Sequence, residues 1–550
     1  MSYQKENIKE IAYYQKKLKK NKEKLEKLKK NRFYNYNYEK LTNEILLLEN
    51  IISFYSLYSK KEAKEKKALA KEKKKRYQIL NGNIISTIIM ICFPLALYGF
   101  FNSFYSLIDS MMASFIKNQA TDTGSINISN VAVISQIKSM ISAFGAGIAG
   151  GGAVLVSRYY GSGDINKAKK VASNMMFISI LVSLALILIL APLASFVLEI
   201  AQVPIISFDT IMYFELILIE LILVAINNIF IGLEKIKGNS KKILWLNIGV
   251  LIIKLIMNVI FIFVFNVDKI IFLEIATIIG QAFLFVFGLI TMFKNGNLLQ
   301  LSINDMKPKK EFVIPILKLS IPIFLGKFVM SLGKAIVNAL CGLYYEVATD
   351  GLITGALGIS NNLSGLVTST TSVFEDGEST IVSQNIGNKN LKRTIKVFVR
   401  TLIVVAIISI IGFILVRFIF LDSLTNLFNK SGSDKMSNYV KEIFVYDCIS
   451  IPSLGLTSAL LGLLYGYGKT FLSSILNFSR IGIRIISLVI CHEAGLGYQA
   501  AGISMGISNV LIGILSLIFL IIFLISLYKK GYKGMKISDK EPINPGLSFE

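Results

Sequence analysis

One histidine and four cysteines in 550 residues leave this chain little with which to hold a transition metal. Cys92, Cys341, Cys448 and Cys491 lie within or at the ends of apolar runs at no ligand spacing, which argues against both a zinc site and a disulfide scaffold. Cys491, His492 and Glu493 are consecutive, but neighbours along a helix point in different directions and make no local metal cluster. His492 is expected to be a solvated loop residue. No nucleophile is paired with a base, so no catalytic residue, no cofactor and no enzyme activity are expected. No phosphate-cradling GxxxxGK[ST] run occurs, which sets nucleotide hydrolysis aside. Charge is scarce too, at 17% of residues.

What fills the chain is apolar: 53% hydrophobic side chains and a mean hydropathy of +0.60, too much for a water-soluble globule. After residue 80 come about twelve apolar runs, each long enough to cross about 30 Å of hydrocarbon as a helix. They cover 83–115, 129–157, 171–200, 209–233, 243–265, 270–293, 313–343, 351–383, 397–421, 440–465, 471–491 and 499–528. Hydrocarbon offers no partner to an unpaired backbone group, and the runs lack a strand pattern, so helices are expected and an outer-membrane barrel is excluded. Basic residues fall on alternate loops, among them Arg158 and Lys167, Lys235 and Lys241, Lys307 and Lys310, Lys389 and Lys396. By the positive-inside rule both termini are cytoplasmic. The wealth of Lys, Ile and Asn beside one Trp suggests an AT-rich bacterial genome, hence a multi-pass protein of a bacterial cytoplasmic membrane.

Formal charge is +24, and residues 1–80 hold 23 Lys or Arg against 10 Asp or Glu. This segment has no apolar core or cleavage site of a signal peptide. Ile8, Ile11, Leu18, Leu25 and Leu28 keep heptad-like spacing, a polar break follows at Asn31 to Asn37, and Leu41, Ile45, Leu48, Ile52 and Tyr55 make a second stripe. A basic cytoplasmic helical hairpin results. Its lysines fit a solvated face in contact with anionic headgroups of the bilayer; no nucleic-acid-binding module accompanies them.

One stretch is written twice: 156–171 reads VSRYYGSGDINKAKKV and 382–397 reads VSQNIGNKNLKRTIKV, 226 residues apart. Each copy ends one apolar run and begins another, as a loop would. Phe93-Pro94 likewise matches Ile321-Pro322, and Gly232-Leu233 with Gly238 matches Gly462-Leu463 with Gly468. The organisation is therefore 1–80 hairpin, 81–295 first six-helix lobe, 296–312 linker, 313–528 second lobe and 529–550 tail. Two units of even span number insert in the same sense, so their axis runs along the membrane normal with a central cavity between them. Pro94 and Pro322 kink the first and seventh spans and are candidate bending points, or static kinks. Gly145, Gly147, Gly150, Gly151 and Gly152 let the second span approach its neighbours closely.

Together, FPLALYGFFNSFYSLIDSMMASF (93–115), GAGIAGGGAVLVSRYYGSGDINKAKKVA (145–172), GLEKIKGNSKKIL (232–244), their echoes, and GLGYQAAG (495–502) resemble the multidrug and toxic compound extrusion (MATE) transporters over about residues 83–528. Lipid-linked oligosaccharide flippases share that architecture. The resemblance implies a secondary exporter of amphipathic, often cationic small molecules in exchange for protons or sodium.

A carboxylate within hydrocarbon is costly, so Asp109 must face the protein interior, be paired or hold a proton. The resemblance implies a cation- or proton-coupling role for it, and also for Asn258, whereas Ile262 stands where the family often has Asp. Lys254 shares a helical face with Asn258 and is a candidate partner of Asp109. Glu375, Asp376, Glu378, Lys327, Lys334 and Arg484 are candidate cavity residues, for which three roles are open: binding an organic cation, pairing internally, or lying near a mouth. Glu220, Glu274 and Asp447 are lesser candidates, the last close to the external surface. Lys138, Lys254, Lys327, Lys334 and Arg484 keep a flippase for anionic lipid-linked saccharide as the alternative. A membrane scaffold is the weaker rival, because an anchor gains nothing from intramembrane charge. The chain is expected to work as a monomer.

Overall fold

The computed structural model describes residues 13–26, 36–116, 124–201, 203, 206–349, 352–426 and 434–529. All regular structure among them is helical. The chain divides into two compact units, Met1–Lys74 with Lys294–Leu298, and Lys75–Phe293 with Leu299–Glu550.

In the smaller unit, α1 (13–26) lies against α2 (Tyr36–Asn81). The Asn21 amide donates to Glu44 at 3.4 Å and Lys22 pairs with Glu49 at 2.6 Å. Ile45 and Leu48 of the expected stripe are buried. Ile8, Ile11 and Leu28, with the side chains of Ile52 and Tyr55, lie outside the described residues.

The larger unit holds the spans: α3 (Ile84–Phe115), α4 (Gly124–Ser162), α5 (Ile165–Leu190), the short α6 (Ala194–Ile200), α7 (Phe208–Ile236), α8 (Ser240–Val259) and α9 (Ile271–Phe293) in the first lobe. The second lobe has α10 (Lys310–Tyr345), α11 (Ile353–Gly387), α12 (Leu391–Ile414), the short α13 (Leu421–Asn426), α14 (Asp434–Cys448), α15 (Ile451–Gly466), α16 (Thr470–Glu493) and α17 (Gln499–Lys529). Ten of these helices are long and apolar enough to cross a membrane, and α14 with α15 is apolar enough only as a pair, bent by 52° at a short break. The remaining long helix, α11, is more polar than these, with Ser, Thr, Asn and Gly along its first half and Glu375, Asp376 and Glu378 in its second. Large apolar side chains such as Leu188, Trp245 and Ile290 are more than half exposed around the bundle, where the solvent is lipid.

Two expectations need correction. The third span ends at Leu190 rather than at 200, because Pro192 cannot donate to a helical ladder and the chain breaks there before α6. The repeated motif is mostly helix rather than loop: 156–162 finish α4 and 382–387 finish α11. The turns are short. Gly163 and Lys389 take positive φ of 93° and 57°, after which Asp164 and Asn390 cap the next helices by accepting from the amides of Lys167 at 3.0 Å and Arg393 at 3.2 Å. The other paired landmark is also a turn device. Gly238 and Gly468 both have φ of 73° just past α7 and α15, and their amides donate to Lys235 and Tyr465 carbonyls at 2.9 Å.

The lobes meet through α4 against α10 and α3 against α11, the same pairing turned about the pseudo-twofold. A Cβ on Gly147 would fall 2.6 Å from the Phe324 Cβ, and one on Gly151 2.6 Å from the Ser320 amide nitrogen. Gly147, Gly150 and Gly151 thus lie on the seam between lobes, closed further by Phe144 stacking on Phe324 at 3.8 Å, while Gly145 and Gly152 face Ala225 and Met175 of their own lobe.

Candidate functional site

The two copies of the motif touch. A Cβ on Gly161 would collide with the Gln384 carbonyl, and one on Gly387, its equivalent, with the Arg158 carbonyl. The Arg158 guanidinium donates to the Gly466 carbonyl at 3.2 Å while the Gln384 amide donates to the Ile236 carbonyl at 2.8 Å. Arg158 and Gln384 are 226 residues apart and their acceptors 230 apart, so this is one contact made twice. Both glycine-bearing connections therefore lie at the same end of the bundle and seal it. Residues at the end of α2 add a tie across the seal. Arg76 donates to Tyr160 and Gly161 carbonyls at 2.7 and 3.0 Å, Lys75 to Gly238 and Asn239 at 3.1 and 2.5 Å, and Arg393 of the second lobe to the Ile79 carbonyl at 3.2 Å.

Past this seal a cavity of about 590 Å³ opens between the lobes. Its walls are unlike. The first lobe supplies Ser139, Ser142, Ala143 and Ala146 of α4, at helical spacing, and Asn228 of α7. The second supplies every charge: Lys327 and Lys334 of α10, Glu375 and Asp376 of α11, and Arg480 of α16. Asp376 is already engaged by Lys235, at 3.4 Å from the first lobe.

Of the expected cavity residues, then, Lys327, Lys334, Glu375 and Asp376 line it, whereas Glu378 and Arg484 do not. Glu378 is 0% exposed among α3, α11 and α15. Arg484 is buried in the second lobe, donating to Ser508 at 3.1 Å and Asn509 at 2.8 Å. Arg480, one turn earlier, reaches Asn509 at 2.7 Å and takes the lining position. The i, i+4 spacing of two arginines in an apolar run was its signal in the sequence.

Asp447 is not near the surface: it is 2% exposed, and the Ser364 hydroxyl donates to it while Ser450 and Asn509 stand at 3.4 and 3.5 Å. A half-helix break at α14–α15 turns it inward. The equivalent place in the first lobe holds an ion cluster, in which Lys138 of α4 pairs with Glu220 of α7 at 2.5 Å and Glu274 of α9 at 3.0 Å. Lys138 and Ser364 are 226 residues apart, so the same interior position meets a carboxylate in both halves, as an ammonium in the first and a hydroxyl in the second.

Asp109 falls on α3, but its side chain lies outside the described residues, and so does the expected pairing with Lys254. Lys254 and Asn258 do converge on one group, Tyr105. The ammonium sits 4.6 Å from its ring centre and the Asn258 amide donates to its hydroxyl at 2.8 Å. Pro94 and Pro322 lie inside α3 and α10, and the Ser474 hydroxyl donates to the Pro322 carbonyl. His492 is not a free loop residue: its ring stacks on Tyr344 at 3.8 Å and its Nδ1 lies 3.0 Å from the Tyr345 hydroxyl. No group of three potential metal ligands occurs among the described residues.

The same two-lobe arrangement is found in solved transporters. A multidrug resistance MATE family transporter of the MOP superfamily, in an outward-facing conformation, superposes with a TM-score of 0.72 at 16% identity, over 82% of this chain and 98% of that one. A MATE protein in complex with MaL6 gives 0.72, 16%, 82% and 99%. A MOP superfamily transporter from Pyrococcus furiosus, described by the reverse polarity of its binding pocket, gives 0.73, 16%, 82% and 98%. No curated protein matches the chain in sequence. The MatE family model, however, matches twice, at residues 94–260 and 322–490, one copy for each half read from the repeated motif. A duplicated six-helix unit, matched by the family model in both copies and folded like these transporters, makes this chain a member of the MatE family of membrane transporters.

Proposed function

We propose that the protein is a secondary active exporter of amphipathic small molecules, working by alternating access in exchange for protons or sodium. The observation that carries this reading is a 590 Å³ cavity of drug-like size, half hydroxyl and apolar, half charged, closed at one end by a reciprocal pair of hydrogen bonds. A seal made of one contact repeated about the pseudo-twofold is a bistable element of the kind a rocking mechanism needs. With the basic loops cytoplasmic by the positive-inside rule, the sealed end faces the cytoplasm of a bacterial cell and the cavity belongs to an outward-facing state. Cationic solutes would meet Glu375, and their apolar parts the α4 wall.

A second reading has its own support. Lys327, Lys334 and Arg480 outnumber the lining carboxylates, and Asp376 is engaged by Lys235. That balance suits an amphipathic anion, such as a lipid-linked saccharide headgroup. The MOP superfamily transporter from Pyrococcus furiosus, in which reverse polarity of the binding pocket suggests a different function, is a precedent among similar folds. The two are separated by reconstitution in liposomes with a fluorescent organic cation or a fluorescent anionic amphiphile, under imposed proton or sodium gradients. Gradient-driven movement of the cation supports export by exchange, and movement of the anion alone supports the second reading. If neither moves under either gradient, secondary transport is wrong.

A further inference from the structure

Glu378 is the one acidic side chain of α11 that the cavity does not use. It is 0% exposed, and both carboxylate oxygens are buried without a hydrogen-bond partner. Around it α15 presents Gly462, where a Cβ would stand 3.0 Å from Oε2, and α3 presents Cys92 against the adjoining Gly377. The charge that acts on Glu378 is that of Glu375, of the same sign and one turn away on its own helix. The cation nearby, Lys235 of α7, is bonded to Asp376. An ionised carboxylate in such a place would be strongly disfavoured, since nothing compensates its desolvation.

Its position along the helices is equally specific. Glu378 lies between the cavity floor at Glu375 and the seal at Gln384 on α11, and Gly462, which touches it, lies one turn before Gly466, the acceptor of Arg158. Its walls come from both lobes, α3 from the first and α11 and α15 from the second. Parting the lobes at the sealed end must shear α3 from α11, uncover Glu378 and free the Arg158 guanidinium one turn away.

We propose that Glu378 is a proton-binding site of this transporter, loaded in the sealed conformation and emptied when the lobes part. The carboxylic acid loses its proton to water entering from the opened end, and the carboxylate left behind gains water and Arg158 as counter-charge. Reloading comes from the cavity side past Glu375. Proton release and opening at the motif end are then one event. Rising pH favours the open form and falling pH the sealed one, with up to about tenfold change in their ratio per pH unit for one linked proton. The assignment rests on the exchange reading above and chooses the proton as the coupling ion.

The test is a distance measurement that needs no known substrate. Spin labels are placed on Ser162→Cys and Asn388→Cys, exposed residues flanking the seal from the two lobes, in the full chain in lipid nanodiscs; the four native cysteines are buried. The expected result is a longer-distance population that grows with pH in the native background, and a pH-independent short distance in Glu378→Gln, which holds the neutral shape permanently. Glu378→Asp, which keeps a titrating group, should retain a pH slope. An unchanged slope in Glu378→Gln, or a flat native profile, overturns the assignment. Should the slope behave as expected while liposomes show no gradient-driven solute movement, the proton site stands and the transport reading falls.

Discussion

Arg158 and Gln384 occupy equivalent positions in the two halves of the chain, and each donates across the lobe boundary to the carbonyl that ends a helix of the other half. The Val-Ser motif recurs because two copies of it form the contact surface of a pseudo-symmetric seal. Breaking one donor should unbalance it. Arg158→Ala removes a charged donor from a buried carbonyl, a loss of about 1.5–3 kcal/mol, and Gln384→Ala a neutral one, about 1 kcal/mol. Both should raise the labelling rate of cysteines placed at the motif end, the arginine variant more, in a time course with a membrane-impermeant maleimide.

Gly161→Ala and Gly387→Ala should have the same direction by another route. Each added methyl meets a backbone carbonyl of the opposite lobe, which cannot rotate away as a side chain would. Overpacking of this kind costs about 1–3 kcal/mol, all of it in the sealed state. Gly482→Ala is the control, since nothing lies within 4 Å of its added Cβ; it should leave labelling unchanged and raise the thermal midpoint slightly, because alanine favours helix. Equal effects at all three glycines would refute the seal.

The end of α2 ties both lobes. Arg76→Ala frees the Tyr160 and Gly161 carbonyls, and Arg393→Ala the Ile79 carbonyl. These bonds are partly exposed, so each should contribute about 1 kcal/mol. Thermal unfolding in detergent should show a lowered midpoint for either variant, and the double variant little more than the worse single one if the tie acts as a unit.

In the first lobe Lys138→Ala should be the most damaging of the cluster variants. It leaves Glu220 and Glu274, each 2% exposed, without their shared ammonium, which for buried pairs costs about 3–5 kcal/mol. Adding Glu274→Gln to Lys138→Ala should recover part of that loss. A double variant no more stable than Lys138→Ala alone, by thermal unfolding of purified protein, would mean that the cluster does not hold the lobe.

Much of the fold was legible in residue order. Run length against bilayer thickness placed the spans, and Gly238 and Gly468 marked turns through backbone chemistry that acts locally. The motif itself was read as a loop because a basic run after glycine resembles one; yet Gly161 serves close approach, and Gly163 makes the turn. Asp447 and His492 were misplaced for a related reason, since distance along the chain from an apolar run says little about burial once α14 bends into α15 or Tyr344 covers a ring.

From sequence alone came the quantities that depend on neighbours within a few turns: the membrane class, the duplication and its offset, the helix caps, and which helices carry charge. Helical periodicity tells which residues share a face but not the rotation of that face about the bundle axis. Only packing in three dimensions decided that α4 turns Gly147, Gly150 and Gly151 to α10 and that one lobe alone supplies the charges lining the cavity. It decided too that Glu375 looks into open space while Glu378, three residues on, is shut in apolar surroundings with nothing to bond.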